Sequence, residues 1–453
     1  MKLAFCGGAG SVTGANFLLT TNDGHRLLVD CGLIQGRQVA EDKNFAPFPY
    51  SPAGVNYLFI THAHLDHIGR IPRLVRQGFR GQIFSTAPTR ELAELGLHDS
   101  LGVLAKEAAR NKSRQPEPLY EEADIVETMK LWQVLPYHQI QELSGGIKAE
   151  LFNAGHILGS AMIMITADGE RFMFTGDVGN SPMPLLPDVE SLPAIDYVVT
   201  ESVYGNRQHE VSSMRQEKLE RIIEETMHVG GTLLIPAFSI ERTQELLYEV
   251  KAMMTHSRVP LVPVFLDSPL AIKVTAVYQK YFADYLKPDL LYGGQPGSLF
   301  RFPQLKMTLT TDESKAINLV NQRKIIIAGS GMSNGGRILH HERRYLSDPH
   351  SALLLVGYQA AGSLGRLLQD GVKTVTIAGE TVDVRARVVM AGGYSAHKDG
   401  PGLVDFIRQA PDGLKKVFVA LGEPEASWFL TQRLRDYVGL DAVAPVAGQE
   451  FTL

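Results

Sequence analysis

Short apolar runs that end on a polar residue recur through the first two hundred positions. Lys2-Leu-Ala-Phe, Asn16-Phe-Leu-Leu-Thr and Arg26-Leu-Leu-Val-Asp30 read as strands, and Asp23-Gly24 is a hairpin-turn signal between the last two. Val55 to Ile60 is another such run, and Pro72 beyond it suits the first turn of a helix. A helical stretch over Thr89 to Ala109 leads into a polar, proline-bearing loop, Arg110 to Pro118. Strand-like segments resume at Ile147–His156, Arg171–Asp177 and Ile195–Glu201. From Asn206 the pattern changes to strand, tight turn and helix, repeated from Gly231, Pro260 and Lys324, which predicts parallel βα units and a second α/β domain. The tail returns to strands over Val382 to Met390 and Lys416 to Leu421, with a helical segment from Gly402 between them. No solenoid repeat or low-complexity tract interrupts this order.

Composition narrows the class without naming a function. At 453 residues, two domains are the prior, and 44% apolar with 21% charged residues is ordinary for a soluble chain. No apolar run approaches the ~20 residues of a membrane span, and the first seven residues are too soon broken by glycine to form a secretory signal. Two cysteines, Cys6 and Cys31, argue against a disulfide scaffold and fit a reducing cytoplasm. A net charge of −5 gives no overall pull on nucleic acid, so a polyanion site would need a local basic groove.

The chemistry concentrates in Phe59-Ile-Thr-His-Ala-His-Leu-Asp-His67. An extended Thr61–His64 puts His62 and His64 on one side, because strand side chains alternate, with Asp66 and His67 following at the turn. Imidazole nitrogens and a carboxylate converging this closely are the donors that hold zinc with positions open for water; the alternative is a solvated polar turn. Downstream, His156, Asp177 and Glu201 each sit where an apolar strand ends, which suggests one sheet edge lined with ligands. Asp30 closes a strand where it would orient a ligand histidine or simply form a turn. The glycine-rich Ser330–Arg337 loop opens a helix and reads equally as a phosphate cradle or a tight turn. His98, His138, His340 and His341 read as surface or packing histidines.

Together these motifs resemble the β-CASP ribonucleases of the metallo-β-lactamase superfamily, the family of the endonuclease subunit of the pre-mRNA 3′-end processing complex. The resemblance runs through His62-Ala-His64-Leu-Asp66-His67, His156, Asp177, Glu201 in Thr-Glu-Ser-Val-Tyr-Gly and His397 in Tyr-Ser-Ala-His. Ile-Pro-Ala-Phe at 235–238, Asp-Ser-Pro-Leu at 267–270 and Gly-Gly-Arg-Ile-Leu-His at 335–340 look like the family's inserted domain. It implies an α/β fold: a metallo-β-lactamase αββα sandwich over 1–205 and 386–453, with an inserted α/β β-CASP domain over 206–385. In one place the chain departs from the pattern. The family's last motif is usually His-Gly-Glu, and here it reads Leu421-Gly422-Glu423.

The resemblance implies two Zn2+ ions, one on His62, His64 and His156 and a second on Asp66 and His67, with Asp177 between them. It implies a zinc-dependent ribonuclease that hydrolyses single-stranded RNA, endo- or exonucleolytically, with Asp66, Glu201 and His397 catalytic. His397 would protonate the leaving ribose oxygen, and Glu201 would orient it. Arg242, Ser330, Ser333 and Arg337 are candidate contacts for backbone phosphates. A small-ester or lactone metallohydrolase, and an RNA-binding protein whose second metal site is weakened by Leu421, are the other readings. No membrane partner is expected, and a homodimer is left open.

Overall fold

The computed structural model describes residues 1–35, 43–110, 118–210, 212–292, 298–321, 323–357, 359 and 362–453. Most of the expected polar loop, 111–117, lies outside them. The chain divides into two compact units, residues 1–208 with 397–453, and residues 209–396.

The first unit is built on two seven-stranded sheets. One runs in the order Glu450–Thr452, Lys2–Gly7, Asn16–Thr20, Arg26–Val29, Tyr57–Phe59, Gln82–Ser85, Trp132–Val134. The other runs Ala442–Val443, Lys416–Val419, Tyr197–Thr200, Glu170–Phe174, Ala161–Ala167, Lys148–Asn153, Gln141–Glu142. The period of two explains why they stack. Leu3, Phe5, Phe17, Leu19, Leu27 and Val29 of one sheet and Ala149, Leu151, Ile163, Ile165, Phe172 and Phe174 of the other share a single core. Phe17 packs against Phe5 of its own sheet and Phe174 of the other, with centroids 5.6 and 6.2 Å apart. Each fully buried side chain of this size contributes about 1.5–3 kcal/mol. The intervening residues of the second sheet, among them Met162, Met173, Val198 and Val417, face outward and are covered by helices Gly400–Arg408 and Pro424–Arg433. Helices Ile71–Arg76, Ala87–Arg110 and Glu122–Lys130 of the same unit fall along the chain between strands of the first sheet, the pieces of the expected αββα sandwich. Pro72 starts the first of these, and Asp23-Gly24 closes the hairpin with Thr21 N–H on the His25 carbonyl at 3.0 Å.

The second unit carries a six-stranded parallel sheet in the order Leu305–Met307, Val264–Asp267, Lys324–Ala328, Thr232–Pro236, Ala352–Leu355, Arg387–Met390. Helices Arg242–Thr255, Pro269–Lys280 and Ile338–Tyr345 follow the three strands that the pattern paired with them. The stretch Val382–Met390, expected to straddle the return to the sandwich at 386, divides differently. Glu380–Asp383 closes a hairpin with Thr374–Ile377, and Arg387–Met390 pairs in parallel with Ala352–Leu355, so the inserted unit extends to Ala396. Helix Pro424–Arg433 was not foreseen, because outward-facing Trp428 and Phe429 blur its apolar period. Among the described residues no helix is long and apolar enough to cross a membrane.

Backbone crowding near the histidine motif sets a sharp test. A Cβ on Gly32 would lie 1.5 Å from the Asp66 carbonyl oxygen, whereas one on the exposed helical Gly102 would meet nothing within 4 Å. Gly32→Ala is expected to cost about 3 kcal/mol or more and Gly102→Ala to add about 0.5–1 kcal/mol. Urea unfolding midpoints that moved together would contradict this assignment of the crowded backbone.

Candidate metal centre

The strand Tyr57–Phe59 hands its chain to the histidine motif at the sandwich edge, where two backbone bonds fix the exit. Ile60 N–H donates to the Phe84 carbonyl of the same sheet at 2.9 Å, and Ala161 N–H donates to the Thr61 carbonyl from the opposite sheet at 2.7 Å. His64 then caps the short helix Leu65–Ile68, which turns Asp66 and His67 back toward the sheet ends. His156 arrives on the loop between Lys148–Asn153 and Ala161–Ala167, and Asp177 arrives just after Glu170–Phe174. Gly176 has φ +55°, and a Cβ there would lie 2.6 Å from Thr61. Only glycine lets the Asp177 turn approach this closely.

Four donors meet. His62 Nε2 lies 3.0 Å from His64 Nδ1, which lies 3.3 Å from His156 Nε2, and Asp177 Oδ2 is 3.4 Å from both Nε2 atoms. Ligand atoms of these four residues all lie within 4.8 Å of one another. Burial holds His64 and His156 well below the ordinary imidazole range and lowers His62, so all three present neutral rings, the form that ligates.

His67 is oriented from behind. Its Nδ1 lies 2.7 Å from Asp30 Oδ2, and the same carboxylate accepts Thr61 N–H and Thr61 Oγ1–H at 2.8 Å each. An Nδ1–H given to Asp30 leaves the Nε2 lone pair of a neutral ring pointing the other way. That Nε2 is buried without a hydrogen-bond partner, 3.4 Å from Asp177 Oδ1. Burial disfavours the imidazolium, but Asp177 and Asp30 outweigh it and hold His67 well above the ordinary range. The same negative field that would charge this ring favours a cation beside it.

Glu201, fully buried at the end of Tyr197–Thr200, accepts Val178 N–H, and its carboxylate lies 3.2 Å from His397 Nδ1. His397 is held by backbone, through an antiparallel bridge to Gly179 and Lys398 N–H on the Val178 carbonyl at 2.8 Å. Burial would neutralise His397, but Glu201 and Asp177 push it up to about 9. With Asp177, this pair forms a second group having ligand atoms in mutual reach. The donor chemistry and the orphaned His67 Nε2 both fit metal binding.

Residues 18–187 match the metallo-beta-lactamase superfamily domain, 243–368 the Beta-Casp domain, and 381–445 the Zn-dependent metallo-hydrolase RNA specificity domain. The chain is 37% identical over 429 residues to Ribonuclease TTHA0252 of Thermus thermophilus, covering 94% of both chains. It is 31% identical over 450 residues to an RNase J-like protein of Methanocaldococcus jannaschii, covering 98% of each. It is also 30% identical over 443 residues to transcription termination factor FttA of Methanosarcina mazei, covering 94% of this chain and 67% of that one. The chain belongs to the β-CASP ribonuclease family of the metallo-β-lactamase superfamily. A solved Enterococcus faecalis V583 protein of unknown function shares the fold, with a TM-score of 0.56 at 12% identity over 100% of this chain and 99% of that one.

Leu421 stands where the resemblance led to the expectation of a histidine. Leu421 has φ +48°, is buried, donates its N–H to the Gly8 carbonyl at 2.6 Å and belongs to the inter-sheet core. Asp66, whose carboxyl burial raises, joins neither group of ligand atoms in mutual reach found among the described residues.

In the inserted unit the four candidate phosphate contacts already have internal partners. Arg242 is buried against Glu245 with its guanidinium over the Tyr394 ring, and Ser333 is buried and donates to Glu342. Neither reaches solvent without breaking an internal pair. Arg337 remains part-exposed but bonds Asp267 and the carbonyls of Thr308 and Leu309, while Ser330 Oγ accepts Asn334 and Gly335 N–H. The loop's polar groups are thus largely spent inside a tight turn. His341 Nε2–H donates to the Asp267 carboxylate at 2.7 Å, as a packing histidine would. Thr61 was the residue the motif reading passed over; its place directly before His62 was the available signal.

Glu342 gives this loop a pH signature. Desolvation raises its carboxyl to about 8, only partly opposed by the Ser333 hydroxyl. The folded chain therefore keeps this proton to about pH 8, whereas the unfolded chain releases it near 4.5. The contribution is fully present below pH 4.5 and is lost as pH rises through 8, with a slope reaching about 1.4 kcal/mol per pH unit. Glu342→Gln is expected to flatten that part of the stability–pH curve, read from urea midpoints between pH 5 and 9. An unchanged slope would show that the carboxyl ionises at its ordinary value.

Proposed function

We propose that this β-CASP protein is a cytoplasmic, zinc-dependent ribonuclease acting on single-stranded RNA. The observation that carries the reading is the four-donor set His62, His64, His156 and Asp177 beside the Glu201–His397 pair. The ribonuclease relatives and the match to an RNA specificity domain support the substrate class. Free Cys6 and Cys31, both thiols pushed up to about 12 by burial, accord with a reducing compartment.

His62, His64, His156 and Asp177 would hold one zinc ion. Asp66, His67 and Asp177 would hold a second only weakly, because Leu421 adds no donor. Zinc in these places supplies Lewis-acid polarisation and charge neutralisation at the phosphate. The protein's own groups do the rest. Asp30 and Thr61 keep His67 in one tautomer and fix the spacing of the motif. Glu201 holds His397 Nδ1, leaving the opposite nitrogen to protonate the departing ribose oxygen. Glu201 thus acts as a positioning residue and His397 as the proton donor.

End-labelled single-stranded RNA with zinc-loaded protein tests this directly. Wild type is expected to cleave, Asp177→Ala to lose cleavage, and His397→Ala to slow it by about 10²–10⁴-fold. Bound zinc, measured by elemental analysis, is expected to rise from about one to about two per chain in Leu421→His. Leu421 favours a second reading, an RNA-binding protein with a decayed second site. RNA bound without cleavage by wild type, and cleaved by Leu421→His, would establish that reading instead.

A further inference from the structure

Helix Pro424–Arg433 and the π-helical turn Leu434–Val438 that continues it have two faces of different chemistry. Ala426, Ser427, Leu430, Thr431 and Leu434 are buried. Ser427 Oγ meets Ser202 Oγ at 2.7 Å, which ties this inner face to the residue directly after Glu201. The outer face carries Trp428, Phe429 and Tyr437 at 61%, 36% and 65% exposure. Arg433 links two of them: its guanidinium carbon lies 5.0 Å from the Phe429 ring centroid and 4.9 Å from that of Tyr437.

We propose that this ring–guanidinium–ring stripe is a stacking platform for the bases of single-stranded RNA, outside the metal centre. The inference rests on the RNA-hydrolysing reading above. Bases stack on aromatic faces and on arginine planes, and each such contact is sequence-tolerant because every base has a π-face. Trp428 and Tyr437 are nine residues apart, about 13 Å along a helix, which is room for a few bases at ~3.4 Å each. The stripe lies within the stretch that matches the RNA specificity domain. A second copy of the chain fits it less well. The three part-exposed rings offer roughly 300 Å², far short of the about 800 Å² per partner of a stable interface. They are also interleaved with the exposed charges Glu425, Arg433, Arg435 and Asp436.

The protein's two tryptophans make the test specific, because Trp132 is buried with its indole N–H on Ser85 Oγ and Trp428 is open. Full-length Asp177→Ala protein, used to prevent cleavage, is titrated with single-stranded oligoadenylate while tryptophan emission is followed. The expected result is saturable quenching that disappears in Trp428→Phe. In cleavage assays on the otherwise wild-type chain, Tyr437→Ala and Trp428→Ala should each raise KM for RNA by about 5- to 100-fold. Leu261→Ser, an exposed apolar position in the other unit, should leave KM unchanged. Cleavage by wild type with no quenching and no KM change would overturn the platform while leaving the ribonuclease reading intact. So would stripe variants that alter sedimentation of the protein alone and not RNA affinity, since that would make the stripe a self-association surface. Wild type that neither binds nor cleaves RNA would sink the parent reading, and the platform with it.

Discussion

Everything at the metal centre hangs on what Asp30 accepts. Its carboxylate is wholly buried, its backbone sits at φ +59°, and it takes bonds from Thr61 N–H, Thr61 Oγ1–H and His67 Nδ1–H. A left-handed non-glycine residue costs of order 1–3 kcal/mol, and a buried carboxylate costs more unless it is fully bonded. Three donors offset both. The return is geometric: Asp30 ends the strand Arg26–Val29, so sheet register is transmitted directly to the tautomer of His67 and the position of Thr61. Removing the acceptor would free the ring to turn and leave the motif held by its backbone alone.

The centre is also a problem of charge that the fold sets and the side chains alone do not solve. Asp30, Asp177 and Glu201 are buried near imidazoles that burial keeps neutral, and Asp66 adds a fourth acid. His67 and His397 are the two rings the acids succeed in raising. A divalent cation among His62, His64, His156 and Asp177 would balance what two imidazolium groups balance only in part. The sandwich assembles this charge because two sheets with a shared core bring their strand ends to one edge. The Phe5, Phe17 and Phe174 contacts that close the core therefore also fix the spacing of the ligands.

Much of this was legible from the sequence because it is local. His62 to His67 lie within six positions, and Asp177 and Glu201 each end a strand whose apolar run announces it. The apolar run Asn16–Thr20 is likewise legible as a strand, whereas the strand Ala161–Ala167, which supplies Ile163 and Ile165 to the same core, escaped the pattern. What stayed hidden is non-local. Nothing in Arg387–Met390 says that its partner is Ala352–Leu355, so the strand pairing that carries the chain out of the second unit is not legible from that run. Arg242 reads as a surface or ligand-binding cation until Glu245 and Tyr394 are seen enclosing it. In the same way Arg433 looks solvated until the rings of Phe429 and Tyr437 are found on either side of it.

Leu421 stands where the resemblance implies a ligand histidine, and the core claims the position instead. The position is left-handed, which costs a leucine roughly 1–2 kcal/mol. Yet its side chain joins the cluster that holds Ala9, Phe17 and Phe418, and full burial of a leucine contributes about 1.5–3 kcal/mol. The two terms nearly cancel or favour leucine slightly, so the fold tolerates it without help from a metal. A histidine here would exchange that burial for a polar ring needing its own partner, which only a bound ion or a new hydrogen bond would satisfy. Packing at Gly8, where a Cβ would lie 2.8 Å from Leu421 Cδ2, ties the choice to the first hairpin. Leucine therefore gives this position a metal-independent contact where a ligand histidine would give a metal-dependent one, and a pattern that weighs only ligands would read it merely as a loss.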